Sequence, residues 1–168
     1  MARRMFPLSK QDAPALAEAV STGLRNADAP HYSSIDAGAL DERCRRLVDA
    51  FLASMDGAPA LFVEYVRGIT GERIGEGYYL REIQLALSLL ESRVWQLVAQ
   101  RSDVASVVAD LAVVTATVGA AKDELARIYL EHKERAEAEC VRLTTSRLFA
   151  GTEGHVEAEA EEAPAGRR

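Results

Sequence analysis

Two apolar stripes, each advancing by alternating steps of three and four residues, restrict this chain more than any other feature. The first runs Leu80, Ile83, Leu87, Leu90, Val94 and Leu97; the second runs Val104, Val107, Leu111, Val114, Val118, Ala121, Leu125 and Ile128. That rhythm belongs to a helix that buries one side, whereas a half-buried strand needs strict alternation. The second stripe keeps its phase across Gly119, which predicts one long helix there and not two. No Asn-Gly hairpin signal and no sustained alternation point to strands. The expected fold is all-α: a single bundle of about five helices with a long C-terminal helix.

The remaining helices follow from punctuation. An amphipathic stretch from about Ala13 to Leu24 has Pro14 in its first turn, where the ring is tolerated. Asn26 to Ser34 interrupts it with Asp28, Pro30, Ser33 and Ser34, and reads as a loop. Asp36 is a candidate N-cap for a second helix ending near Ser54, with Leu40, Leu47, Val48, Phe51 and Leu52 inward. Gly57 and Pro59 separate it from a third, about Pro59 to Ile74, which places Phe62, Tyr65 or Val66, Ile69, and Arg73 or Ile74 along one side. The fourth runs to about Gln100, and Ser102 or Asp103 is expected to cap the last. Residues 1–10 are expected to be a flexible N-terminus, 11–149 the helical domain and 150–168 a disordered acidic tail.

Composition removes several functions. At 168 residues, 48% apolar and 27% charged, the chain is large enough for a core without staples. A net charge of −6 opposes nucleic-acid binding. Arg43, Arg45 and Arg46 form only a small basic cluster, read as a solvated face. The longest apolar run, Val104 to Val118, is interrupted by Ser106, Asp110, Thr115 and Thr117, so no membrane span is expected. The start lacks an apolar segment behind Arg3 and Arg4, which predicts no export signal and a cytoplasmic protein. Cys44 and Cys140 are isolated and fit a reducing compartment better than a disulfide framework.

The chain shows no convergent catalytic constellation, and it is read as no enzyme. His132 follows Ile128 on the second stripe, but a bundle di-metal site wants Glu three residues earlier, where Tyr129 stands. No metal and no cofactor is therefore assigned. The glycines between Gly68 and Gly77 lack a preceding strand and a Lys-Ser or Lys-Thr end, so they read as a helix end and turn, not a phosphate loop. Glu64, Glu72, Glu76 and Glu82 interleave with Arg67, Arg73 and Arg81, the pattern of an ion-paired surface. Trp95 lies beside Val94, off the strict stripe; burial is the favoured reading and an exposed partner anchor the other.

A resemblance adds to these readings. Phe62-Val-Glu-Tyr-Val-Arg67, Glu72-Arg73-Ile-Gly75-Glu-Gly77-Tyr-Tyr-Leu80-Arg-Glu82-Ile, Ala86-Leu87-Ser-Leu-Leu-Glu91 and Val94-Trp95 resemble the RsbRD N-terminal family, helical domains of the RsbT co-antagonist type found in bacterial regulators. The likeness covers about Phe62 to Leu97. It implies a sensory or regulatory domain of a stress-response pathway and a globin-like bundle without haem. Family members usually precede an output module, and here only a tail follows the last helix, which implies a free-standing domain. On this reading Arg73, Gly75, Gly77, Glu82 and Trp95 organise the turn between two helices. The two glycines permit a left-handed turn and close approach, while Arg73 bonds helix-end carbonyls or pairs with Glu76 or Glu82.

The leading functional expectation is a non-catalytic signalling module acting through protein–protein contacts. It would be a homodimer whose regulatory partner is a kinase, a STAS protein or a transcription regulator. The alternative is a small-molecule sensor with a pocket among helices three to five lined by Tyr65, Trp95 and Tyr129.

Overall fold

The computed structural model describes residues 6–55 and 57–156, with side chains through Thr145; the predicted acidic tail from residue 157 onward lies outside the described residues. Among the described residues there are six α-helices: α1 Ala13–Arg25, α2 Pro30–Ser34, α3 Ala37–Met55, α4 Ala60–Gly75, α5 Leu80–Arg101 and α6 Val107–Val156. No strand occurs among the described residues. No described helix is long and apolar enough to cross a membrane. The chain divides into two compact units, residues 1–129 and 130–168.

In the first unit α1 packs on α3 and α5, and α3 packs on α4. Leu16, Val20 and Leu24 of α1 meet Leu40, Val48 and Phe51 of α3 in a core that also holds Phe62, Leu87, Leu90 and Val94. Phe51 and Phe62 meet edge to face with centroids 5.5 Å apart, so removing either ring would cost about 3–5 kcal/mol. Gly23 lets α1 approach α5 closely: a Cβ there would stand 3.0 Å from the Leu89 methyls. Within α6, Val114, Val118, Ala121 and Leu125 are buried, and the helix runs unbroken through Gly119. Lys122 pairs with Glu91 at 2.7 Å and Glu124 with Arg67 at 2.6 Å, tying α6 to α5 and α4.

Four expectations need correction. The segment Asn26 to Ser34 contains a sixth helix, α2, because Pro30 opens a short turn that Tyr32 anchors in the core. The last helix starts at Val107, since the Ser106 and Val107 amides close a turn on the Asp103 carbonyl; Val104 is left 92% exposed instead of starting the buried stripe. Its end lies at Val156, past the expected limit near Phe149. Trp95 is 43% exposed, because the buried side of α5 runs through Leu90, Val94 and Val98 and leaves the next position outward.

The N-terminal stretch contributes to the first unit. Leu8 is buried, and Ser9 and Asp12 exchange capping hydrogen bonds around the 3-10 turn Lys10–Asp12. Asp12 also receives Arg101 at 2.6 Å, tying the end of α5 to the start of α1.

In the second unit, every described side chain from Leu130 to Thr145 is exposed except that of Glu131, which is half-buried. Ion pairs one turn apart run along this part of α6: Arg135 with Glu131, Lys133 with Glu137 and Arg142 with Glu139.

Candidate functional site

The turn between α4 and α5 carries the largest concentration of buried polar groups. Gly75 ends α4 in helical geometry with open space around it, so the left-handed position is Gly77 alone, at φ +87°. The expectation that both glycines serve the turn is corrected: the Glu76 and Gly77 amides already bond the Glu72 and Ile74 carbonyls, so only one residue must leave the α region. The Tyr78 amide then closes the turn on the carbonyl of Arg73.

Glu82 is fully buried. Its carboxylate accepts hydrogen bonds from the His31 amide at 2.9 Å and the Tyr79 amide at 3.0 Å, and it meets His31 Nδ1 at 2.7 Å. Three donors satisfy a charge that burial alone would expel. Desolvation pushes the Glu82 pKa upward, but the two amides and the His31 ring outweigh it and hold the group below the usual carboxylate value. His31, expected in a loop, therefore sits in α2 and clamps that helix to the start of α5. Its ring meets Tyr78 at a tilt, with centroids 4.8 Å apart, and Tyr79 edge-on at 5.3 Å.

Arg73 is only 9% exposed. It pairs with Glu76 at 2.8 Å and not with Glu82, and its guanidinium lies 5.6 Å from the Tyr78 ring centre. Arg43, from α3, approaches the same ring at 5.9 Å, donates to the Tyr78 hydroxyl at 2.8 Å and reaches Glu76 at 3.3 Å. One tyrosine and one carboxylate thus hold two guanidinium groups together, by cation–π attraction and shared ion pairing. Arg43 was read as part of a solvated basic face; its position at this cluster depends on a contact 35 residues away.

Behind Arg73 lies a cavity of about 30 Å³, walled by Leu24, Leu47, Ile83 and Leu87, with Tyr32 and Cys44 also facing it. It adjoins a cleft of about 310 Å³ between α3 and α4, where Arg43, Arg46, Glu72 and Arg73 line the sides. Tyr65 borders both spaces. Burial pushes the Cys44 thiol up to about 11 and the Tyr65 phenol up to about 12, and it raises Tyr32 further. All three therefore stay protonated near neutrality.

The aromatic residues expected to share one pocket are dispersed. Tyr65 faces the cavity, Tyr129 borders a separate shallow groove with Tyr79, Arg81 and Gln84, and Trp95 is exposed on α5. His132 is exposed, and no group of three or more metal-ligating side chains occurs among the described residues. The sequence reading missed Tyr32 and His31 because neither lies at a helical spacing from Arg73 or Glu82. The only local signal was Pro30, a residue suited to opening a helix. No protein-family model, curated protein or solved structure matches this chain.

Proposed function

We propose that this chain is a regulatory domain that works by protein–protein contact, with a second copy of itself as the first partner and a kinase, STAS protein or transcription regulator as the downstream one. The observation that carries the reading is the exposure of Trp95 on α5, together with that of Val104 and Val108 around the start of α6. Monomeric proteins scatter single exposed apolar residues, but an exposed tryptophan is the kind of anchor that dominates interface energies, and two exposed valines add apolar surface. The likeness of Phe62 to Leu97 to the RsbRD N-terminal family supports the same class of function. It adds a bacterial stress-response setting and a globin-like bundle without haem; a cytoplasmic location fits the isolated Cys44 and Cys140, which suit a reducing compartment.

Sedimentation velocity over the micromolar range tests this proposal, comparing the full chain with Trp95→Ser and Val108→Ser. Concentration-dependent dimerisation that both substitutions weaken is the expected result. A chain that stays monomeric, and from which Trp95→Ser removes no regulatory protein captured by the unaltered chain, would overturn it.

A further inference from the structure

We infer that the cleft between α3 and α4 binds the phosphate group of a small monoester, held by Arg43, Arg46 and Arg73. The assignment uses neither Trp95 nor the valines around the start of α6, so it and the proposed self-association stand or fall separately.

Charge supplies the first argument. Arg43 and Arg73 share the carboxylate of Glu76, and Arg46 shares that of Glu42 with Arg45. At each place two guanidinium groups meet one carboxylate, which leaves one positive charge in excess. Of the two glutamates lining the cleft, Glu64 is paired with Arg67; only Glu72 makes no side-chain hydrogen bond or ion pair among the described residues. The cleft is therefore a positive spot on a chain whose net charge is −6. Cations held this close repel one another, and an anion between them relieves the repulsion.

Free donors supply the second argument. Arg73 is 9% exposed and commits only Nη1, to Glu76. No fully buried side-chain nitrogen lacks a partner among the described residues, so Nε and Nη2 of Arg73 open onto the spaces that it lines. Arg46 bonds Glu42 through Nε and keeps both terminal nitrogens for another acceptor. Shape supplies the third. Gly68 lines the cleft within α4, and a Cβ added there would meet nothing within 4 Å. A glycine inside a helix is costly relative to alanine, and no packing among the described residues requires this one; what it does is keep the cleft wall open.

The chemistry of the lining then selects the ligand. Guanidinium groups only donate, and three of them from two helices suit the several oxygens of a tetrahedral phosphate; a planar carboxylate would occupy one fork. The volume of about 310 Å³ leaves room beside the phosphate for a small organic group, with Ile69 and the Tyr65 ring as its apolar wall. Glu72 limits the negative charge that the cleft accepts, which favours a monoester over a polyphosphate, and its carboxylate can accept from a ligand hydroxyl.

Glycerol 3-phosphate is the probe, titrated by calorimetry into the full-length protein at fixed ionic strength, with inorganic phosphate and acetate for comparison. Saturable binding is expected, with inorganic phosphate at least about threefold weaker and acetate at least about tenfold weaker. Arg46→Gln, at an exposed position, should weaken binding about tenfold and leave Tm unchanged. Arg73→Lys should weaken it by a similar factor, but it also disturbs a buried cluster. Gly68→Leu separates the two effects: a better helix former should keep or raise Tm while its side chain obstructs the cleft and weakens binding at least about tenfold. Binding that Arg46→Gln and Gly68→Leu both leave unchanged overturns the assignment. So does acetate or inorganic phosphate binding as tightly as the ester, or no saturable binding of either phosphate at millimolar concentration.

Discussion

Glu82 and Glu139 are both carboxylates held below their ordinary pKa, yet they stand at opposite limits of what such a shift means. Glu82, at the α2–α5 junction of the first unit, is driven upward by desolvation and brought down by the amides of Tyr79 and His31 and by the His31 ring. Glu139, on the exposed helix of the second unit, is lowered chiefly by its hydrogen bonds with Arg142. The first carboxylate completes the hydrogen bonding of three groups from two helices; the second meets one arginine in water. Equal direction of shift therefore does not mean equal structural consequence, because a buried donor that loses its acceptor finds no replacement while an exposed one finds solvent.

The largest test of that contrast is Glu82→Gln. The amide retains one acceptor but turns an NH2 group toward donors, leaving His31 or Tyr79 short of a partner. Stability should fall by about 2–4 kcal/mol, enough to lower Tm by roughly 10 °C in a chain of this size. Calorimetric unfolding with a loss under about 1 kcal/mol would show that water replaces the carboxylate and would break the contrast.

Acid sharpens the same comparison. A carboxylate whose folded pKa lies below its unfolded value binds more protons when unfolded. Its stabilisation is complete above the unfolded value, near the reference of 4.5, and disappears as pH falls through the lower folded value. Tm measured from pH 6 downward should therefore drop less steeply in Glu82→Gln than in the unaltered chain. Parallel curves would mean that other carboxylates, such as Glu124, which Arg127 and Arg67 hold at about 2, govern acid unfolding.

What the sequence made legible follows the same division. The stripes predicted α5 and the part of α6 up to Ile128, because burial of one helix side leaves a repeating mark: Ile83, Leu87, Leu90 and Val94 are buried as the rhythm requires. The turn at Gly77 was legible from glycine. The clamp on Glu82 was not, since its partner His31 is 51 residues away and no spacing rule connects them. Trp95 was misjudged because periodicity locates the centre of a buried stripe better than its margin. Gly23 was passed over for a related reason: its close approach to Leu89 depends on how α1 meets α5, which neither helix's pattern states. Of the residues that line the cavity only Tyr65 was expected in a pocket, because Tyr32 lies in a segment that read as a loop.

The turn offers a test of intermediate size between its own two glycines. Gly77 has φ +87°, where a Cβ is strained even though its nearest neighbour, His31 Nε2, would be 3.7 Å away. Gly77→Ala should cost about 1–2 kcal/mol. Gly75 lies in helical geometry in open space, so Gly75→Ala should be neutral or stabilise by up to about 1 kcal/mol. Equal losses from the two substitutions in denaturant unfolding would show that α4 ends before Gly75 in solution and that both glycines shape the turn.

The smallest effect is expected from Glu139→Gln. The substitution removes the ion pair with Arg142 while leaving a side chain of the same size, and both groups are well exposed. An exposed pair gains little in water, because ordering two long side chains offsets the attraction and salt screens what is left. Tm should stay unchanged within error, and raising salt should not separate the variant from the unaltered chain. A clear loss at low salt that vanishes at high salt would mean that Glu139 faces more than one cation when the protein is in solution. The exposed helix would then be covered by a partner, and the contrast with Glu82 would narrow to a difference in which molecule supplies the donors.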